Sequence, residues 1–354
     1  MAGGRGERFW PQSRLASPKH LLPIVGDKTM LAQTVDRVTG VVPRDNIFVL
    51  TTQAQLAGCR QACPELPAAN IVGEPMGRDT AAATGLAMLL VQQRNPQAAF
   101  AMLPADHVIH DVAEYRKLLT VAFEAAESAD KLVTLGITPV GPETGFGYIQ
   151  QGEPWREVGG RRVMTVKRFV EKPDLATAQG YLASGEYYWN AGMFIWRVPV
   201  VAAALATHAP ELYAGLQRLA AEARSPGGWS AALALVYPTL KKVSVDYALM
   251  EKSTNVVVVP ATFDWDDVGA WPAIAKHFAP DSGGNVLRGE SMVEDGRGNI
   301  VVSGTGHLTA VVGVSDLIVV HTAEATLVCH KDKAQEIKAL LKRLAEDPAK
   351  QKFL

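Results

Sequence analysis

The chain is short of cysteine, of net charge and of long apolar runs, and each shortage removes a class of protein. Three cysteines in 354 residues, Cys59, Cys63 and Cys329, cannot build a disulfide framework. Cys59 and Cys63 lack the second ligand pair of a zinc knuckle. Reduced thiols in a cytoplasmic protein are the expectation. Lys and Arg number 35 against 36 Asp and Glu, a net charge of −1. No basic field therefore points to nucleic acid or to an anionic membrane surface. No apolar run is long enough to span a bilayer, and no apolar signal region opens the chain. One further shortage is local. A phosphate-gripping glycine loop normally follows a buried strand, and only Met1 and Ala2 precede the first glycine here. The expectation is that the first strand of the sheet is missing and that the natural start lies upstream.

What remains has an ordinary soluble composition, 48% hydrophobic and 20% charged, and its length suggests two domains. The richest stretch is Gly3-Gly4-Arg5-Gly6-Glu7-Arg8, continuing through Pro11, Ser13 and Arg14 to Pro18-Lys19. Glycines let backbone N–H groups turn toward a ligand, and successive inward N–H groups form an anion-binding concavity. Arginine forks match phosphate oxygens. The stretch is not a Walker loop, because no Gly-Lys-Ser/Thr follows. It is not a dinucleotide fingerprint either, because Phe9 stands where the third glycine is needed. An anion nest with Arg8 and Lys19 suits a nucleoside triphosphate.

Downstream, short apolar runs alternate with helical periodicity. Ile47–Leu50, Ala99–Leu103 and Leu132–Gly136 read as strands, and about 81–93 and Tyr115–Ser128 as helices. That alternation predicts an α/β domain with a mixed, mostly parallel sheet and helices on both faces. Ligands on such sheets bind at the carboxyl ends of strands, where the glycine loop, Glu74 and Asp106 all fall. The middle, about 139–270, reads as more irregular, with strands only at Val166–Val170 and Val256–Val259 and a helix break at Ser225–Gly228. Past a boundary at 279/280, the runs Ile300–Val302, Leu317–Val320 and Thr326–Val328 alternate with turn signals, a small β module. A charged helix over 333–346 follows. The expected domains are 1–279 and 280–354.

Asp106 and Asp267 each follow an apolar strand. Two carboxylates brought to one crevice can hold a Mg²⁺ whose remaining positions go to phosphate and water. Asp264 and Asp266 are the local rivals of Asp267. Lys172, at a strand end, is a point charge for one phosphate. Gly147 and Asn190 have the character of hydroxyl-binding elements.

These motifs stand in an order that resembles the sugar-1-phosphate nucleotidyltransferases. Gly3-Gly4-x-Gly6-x-Arg8-x-x-Pro11-x-Ser13-Arg14 with Pro18-Lys19 is similar to their signature. Glu74-Pro75-x-x-Arg78-Asp79-Thr80-Ala81, Leu103–His107 and Trp265-x-Asp267-Val268-Gly269-x-Trp271 resemble the branch that joins guanylate to mannose 1-phosphate. Phe169–Pro173, Trp189–Phe194 and Ser244–Glu251 agree with it. The resemblance covers about 2–275. The tail is similar to a short left-handed β-helix that some members use in dimer contacts. Two positions depart from the pattern: Asp79 stands where asparagine is usual, and Ala191 where serine is common.

The resemblance implies a Rossmann-like (GT-A-like) nucleotidyltransferase domain that uses GTP, mannose 1-phosphate and Mg²⁺ and pairs into a homodimer. It implies that Gly3, Gly4 and Gly6 wrap the triphosphate and that Arg8 and Lys19 neutralise it. Glu74, with Arg78 and Thr80, lies at the guanine end, where Glu74 accepts from N1–H and N2–H₂ and rejects adenine. Asp106 and Asp267 hold the metal. Lys172 takes the sugar phosphate, and Glu171, Asn190 and Gly147 read sugar hydroxyls. The alternatives are a thymidylyl- or uridylyltransferase acting on glucose 1-phosphate, or a non-catalytic subunit that binds a nucleotide sugar.

Overall fold

The computed structural model describes residues 1–354. Helix α1 (Met30–Thr39) begins where Thr29 accepts a hydrogen bond from the Ala32 amide, satisfying one orphan donor of the first turn. Strand β1 (Val49–Thr52), helix α2 (Leu56–Ala62) and strand β2 (Ile71–Glu74) follow, with β1 and β2 paired in parallel. Next come α3 (Asp79–Arg94), β3 (Ala99–Met102), α4 (Val112–Ser128) and β4 (Leu132–Ile137). The chain continues through β5 (Tyr148–Val158), β6 (Arg161–Val170), α5 (Leu175–Ser184) and β7 (Tyr187–Arg197). Helices α6 (Val198–His208), α7 (Pro210–Glu222) and α8 (Gly228–Val236) precede β8 (Val256–Ala261).

The central sheet has the order β3-β7-β4-β8-β6-β5. It is mixed. β3 and β4 each pair antiparallel with β7, so they share one direction, and β8 joins β4 in parallel. Alternation along β8 shows how it is sandwiched. Val256 and Val258 enter the core beneath α3, α6, α7 and α8, while Val257 and Val259 enter the core beneath α4. A strand buried on both faces reads as a continuous apolar run, which is why β8 was visible in the sequence. Helix α3 is buried from Ala81 through Leu90, because small side chains let it lie close between sheet and helices.

The middle of the chain is less irregular than its sequence suggests. It holds the longest strands, β5, β6 and β7. The β5–β6 hairpin carries polar residues at its far end, with register shifts between Gln150 and Arg156. Half-exposed, bulged strands lose the clean alternation from which a strand is read.

No strand lies between β1 and β3. Met1 and Ala2 bridge only the mouth of that gap. The Ala2 amide donates to Leu50 O at 2.7 Å, and the Met1 ammonium donates to Leu103 O at 2.8 Å. Beyond them an apolar cavity of about 330 Å³ runs between the two strands, walled by Leu31, Val35, Val49, Phe100, Leu119 and Phe123. Burial lowers the pKa of the Met1 amine. Fusing four alternating β-branched residues ahead of Met1 fills the cavity, pairs both strand edges and replaces that ammonium by an amide. We expect a rise in melting temperature of about 5 °C, read by calorimetry; an unchanged melting temperature refutes the strand-slot reading of this cavity.

In the tail, β9 (Val286–Arg288), β10 (Ser291–Glu294), β11 (Ile300–Val302), β12 (Thr309–Val312), β13 (Leu317–His321) and β14 (Thr326–His330) form short coils. β9, β11 and β13 stack in parallel, as do β10 and β12, and β14 returns antiparallel on β13. Buried Asn285 and Asn299 form a corner ladder, with Asn299 Nδ2 donating to Asn285 Oδ1 at 3.1 Å. Helix α9 (Ile337–Glu346) follows a 3₁₀ segment, Lys331–Glu336. This module has only a small core of its own, around Val301, Val311 and Val319. Ile300, Val302, Ile318, Val320 and Ile337 share one cluster with Phe9, Trp10, Ile24, Trp271 and Ile274. The β module is thus packed against the glycine loop's own anchor.

Candidate active site

A crevice of about 470 Å³ opens at the carboxyl ends of β2 and β3, and the stretches after β4 and β8 reach it as well. Gly3 and Gly4 form one wall. Gly6 lies behind them with φ 63°, and a Cβ there would stand 2.2 Å from Lys19 Cβ. Only glycine permits that approach, so the loop closes directly onto Lys19. Ser13 Oγ donates to Gly6 O at 2.7 Å and braces the turn.

Lys19 is buried, and its ammonium donates to Asp106 Oδ2 at 3.0 Å and to Asp267 O at 2.5 Å. Burial alone would push the Asp106 carboxyl up. Lys19 and His107 outweigh it, so the group sits at about 2. Burial raises the Asp267 carboxyl, which Lys19 and Arg8 partly counter. One Arg8 nitrogen reaches Gln335 Oε1 at 2.9 Å. The other lies beside Asp267: a Cβ on Gly269 would stand 3.0 Å from Asp267 Oδ2 and 3.4 Å from Arg8 Nη2. The rivals of Asp267 have structural duties. Asp264 accepts from the His110 and Asp111 amides. Asp266 accepts from the Val268 amide and pairs with Lys276.

Two carboxylates facing one cavity offer oxygen donors suited to a hard divalent cation. No third His, Cys, Asp or Glu completes a cluster with them, which leaves coordination positions for water and phosphate. The Lys19 ammonium already partners the Asp106 carboxylate at this point of the crevice and holds it ionised.

At one end, Glu74 closes β2 and is buried. Its Oε1 accepts a hydrogen bond from the Tyr237 hydroxyl. Arg78 donates to Pro238 O. Thr80 lines the crevice, but its hydroxyl accepts from the Val245 amide at 2.8 Å and so ties α3 to the segment after α8. Asp79 adopts φ 66°, a conformation that Asp and Asn tolerate better than other side-chain-bearing residues, so its exchange with asparagine keeps the backbone shape.

At the other end, a Cβ on Gly147 would stand 2.5 Å from Glu171 Oε2 and 3.2 Å from Asn190 Cβ. Glycine there leaves room for Glu171 and Asn190 to line the same pocket. Lys172, with φ 48°, folds its ammonium onto Glu171 rather than into the cavity. Trp265 and Phe146 form an aromatic floor, ring centroids 5.2 Å apart. Trp265 Nε1 donates to His107 Nδ1 at 3.0 Å. Burial, partly offset by Asp106, lowers the His107 imidazole to about 4, which keeps that nitrogen an acceptor.

The structure thus brings Gly3, Gly4, Glu74, Arg78, Thr80, Asp106, Gly147, Glu171, Asn190 and Asp267 to one cavity. Gly6 and Lys19 stand behind that lining, and Arg8 and Lys172 lie at its margin. Sequence reasoning missed Asp246. It lines the cavity from a π-turn, Asp246–Met250, and accepts from Asn190 Nδ2 at 2.9 Å. Burial and the neighbouring Glu171 push its carboxyl up to about 6. A π-turn frequently marks a functional site, but its i→i+5 bonds leave no trace in residue types; the only signal was an acid inside the Ser244–Glu251 motif.

A glycine nest and a lysine facing paired aspartates, at the carboxyl ends of a mixed sheet, define an α/β enzyme of nucleotide phosphates. Residues 1–282 match the family model described as nucleotidyl transferase, and 290–344 match the MannoseP isomerase/GMP-like beta-helix domain. The chain belongs to the nucleotidyl transferase family, within its mannose-1-phosphate guanylyltransferase branch. It is 36% identical, over 98% of its length and 73% of the relative's, to the mannose-1-phosphate guanylyltransferase of Escherichia coli K12. It is 38% identical, over 97% of its length and 72% of the relative's, to the xanthan biosynthesis protein XanB of Xanthomonas campestris pv. campestris strain B100. A crystal structure from Thermus thermophilus, described as a mannose-1-phosphate geranyltransferase, superposes with a TM-score of 0.86 at 37% identity over 98% of both chains.

Proposed function

We propose that this protein transfers GMP from GTP to α-D-mannose 1-phosphate, forming GDP-mannose and releasing pyrophosphate. The observation that carries the reading is a single crevice with three sets of residues. Buried Glu74 forms one set, Glu171, Asn190 and Asp246 grouped about Gly147 a second, and the glycine nest with the aspartate pair, Asp106 being held by Lys19 from behind, a third. A screen of the four nucleoside triphosphates against mannose 1-phosphate and glucose 1-phosphate tests it. GTP with mannose 1-phosphate is expected to rank first, and GTP ranking below another triphosphate rejects the assignment.

The sugar phosphate is itself the nucleophile. Its second pKa is near ~6, so at neutral pH it is an anion and needs no general base. The work left to the protein is to bring two polyanions together in line and cancel their charge. Gly3, Gly4 and Gly6 offer backbone donors to the β- and γ-phosphates, and Arg8 and Lys19 offset charge on the departing pyrophosphate. Lys172 turns from Glu171 to the incoming sugar phosphate. Glu171, Asn190 and Asp246 take the sugar hydroxyls in the space that Gly147 keeps open. Asp106 and Asp267 hold the metal, which we assign as Mg²⁺; when bound, it supplies Lewis-acid stabilisation of phosphate oxygens. The sugar-phosphate oxygen forms a bond to the α-phosphorus as the α–β bridging bond breaks, and no covalent intermediate on the chain is needed.

Asp246→Asn keeps the side-chain shape and removes the charge. We expect its KM for mannose 1-phosphate to rise about tenfold while its KM for GTP stays within about twofold. A larger change in the GTP constant than in the sugar constant overturns the assignment of Asp246 to the sugar end.

We keep the division at 279/280, supported by the change from α/β to coiled β architecture. We also assign a homodimer, supported by the exposed Met292, Leu308, Val312 and Val328 on the β module. No helix is long and apolar enough to cross a membrane, and all three cysteines are free thiols; the thiols support a cytoplasmic placement.

A further inference from the structure

We propose that Tyr237 sets the base selectivity of the site by fixing the orientation of Glu74. Tyr237 is a positioning residue for guanine recognition although no part of it lines the crevice. The inference rests on the reading of Glu74 as the guanine acceptor.

The two oxygens of Glu74 are not equivalent. Oε1 receives the Tyr237 hydroxyl, whereas Oε2 faces the glycine loop, 3.7 Å from where a Cβ on Gly3 would stand. An unanchored glutamate has three rotatable bonds to order when a base arrives. With Oε1 held from behind, the carboxylate plane is set before binding, and both oxygens keep lone pairs for the adjacent N–H groups of guanine. Discrimination by a buried acceptor pair depends on this preset geometry. A base lacking the matching donors then leaves the oxygens unpaired.

The anchor is itself rigid. Tyr237 is wholly buried and opens a 3₁₀ turn, Tyr237–Thr239, directly after α8. The next residue of that turn, Pro238, accepts from Arg78 through its carbonyl. Thr239 Oγ1 receives Arg218 Nη2 at 2.7 Å. One turn therefore holds Glu74 through a side chain and Arg78 through a carbonyl, the two long polar side chains at the base end. The electrostatics agree. Burial pushes the Glu74 carboxyl up, and the Tyr237 hydrogen bond pulls it back toward the ionised, acceptor-only form. Burial and the adjacent Glu74 push the Tyr237 phenol well above its ordinary value, so it stays a donor.

The test uses the full chain with mannose 1-phosphate and measures kcat and KM for GTP, inosine triphosphate and ATP. Inosine triphosphate keeps N1–H and lacks the 2-amino group; ATP lacks both donors. Tyr237→Phe is expected to raise KM for GTP about tenfold, with kcat within about twofold. It is also expected to narrow the GTP-to-inosine triphosphate ratio of kcat/KM severalfold. Pro238→Ala loosens the turn while keeping every hydrogen-bonding atom, and is expected to narrow the ratio in the same direction by less. Ratios equal to that of the unmodified protein in both variants overturn the proposal, even where melting temperatures fall, because a purely structural tyrosine lowers stability without touching base choice. Should Tyr237→Phe not fold, Pro238→Ala alone decides by the same ratio. Glu74→Gln separates the two levels. If it retains full preference for GTP, the base reading itself fails. If it loses that preference while the Tyr237 and Pro238 variants keep it, only the positioning role fails.

Discussion

Asp106→Asn is expected to reduce pyrophosphate release by at least about 10³-fold, the scale of losing charge stabilisation at the reacting phosphates. The melting temperature is expected to stay within a few degrees. The reason lies in what this carboxylate does in the resting protein. It projects into the crevice from the loop after β3 and is partnered by Lys19 at 3.0 Å. Its charge is held so firmly that its carboxyl lies at about 2. An amide has nearly the same shape and can still accept from Lys19, so packing survives. What it cannot do is contribute a full negative charge to a shared cation. Asp267→Asn is expected to give a loss of similar size, and the double variant little more than either alone, because groups acting as one unit are not additive. Turnover within about tenfold of the unmodified protein in either single variant removes the metal role from that residue.

Trp271→Ala produces the second large effect, and it acts through the fold. Trp271 is fully buried, its ring centroid lies 5.0 Å from that of Phe9, and its Nε1 donates to Trp10 O at 3.0 Å. It thus ties the segment after β8 to the turn that carries Arg8, within the core shared with the β module. Truncation leaves a large cavity and an unpaired carbonyl, a loss of about 4 kcal/mol. In calorimetry that corresponds to a fall in melting temperature of about 10 °C. On the proposed assignment the same variant is expected to raise KM for GTP more than KM for mannose 1-phosphate, because the glycine loop, proposed to take the triphosphate, loses its anchor and the residues proposed for the sugar do not. A lower melting temperature with an unchanged GTP constant contradicts the mechanical link between module and loop.

Much of this arrangement was legible in the residues. Strands buried on both faces, such as Val256–Ala261 and Ile300–Val302, announce themselves as unbroken apolar runs. Glu74, Asp106 and Asp267 could be assigned to one crevice because each lies at or just past the end of an apolar strand, and the glycine nest joined them through its phosphate-binding composition, not through a strand ahead of it. What could not be read are relations between distant segments. β7 carries Asn190 and runs antiparallel between β3 and β4; no local signal in Trp189–Phe194 says which neighbours it will join. Lys172 has the composition of a phosphate ligand but rests on Glu171, a choice made by side-chain geometry. Asp246 and Tyr237 were hidden for the same reason. Their importance lies in Asn190 and Glu74, reached 56 and 163 residues away in the chain.

The central claim is that two phosphate compounds meet in one crevice and react without passing through the protein. Incubation with GTP labelled at its α-phosphorus, plus mannose 1-phosphate, tests it most directly. The account predicts that the label appears in GDP-mannose, one equivalent for each pyrophosphate released, with none in the pyrophosphate and none attached to the protein. Label in the pyrophosphate, label bound covalently to the chain, or pyrophosphate formed without labelled GDP-mannose would contradict it.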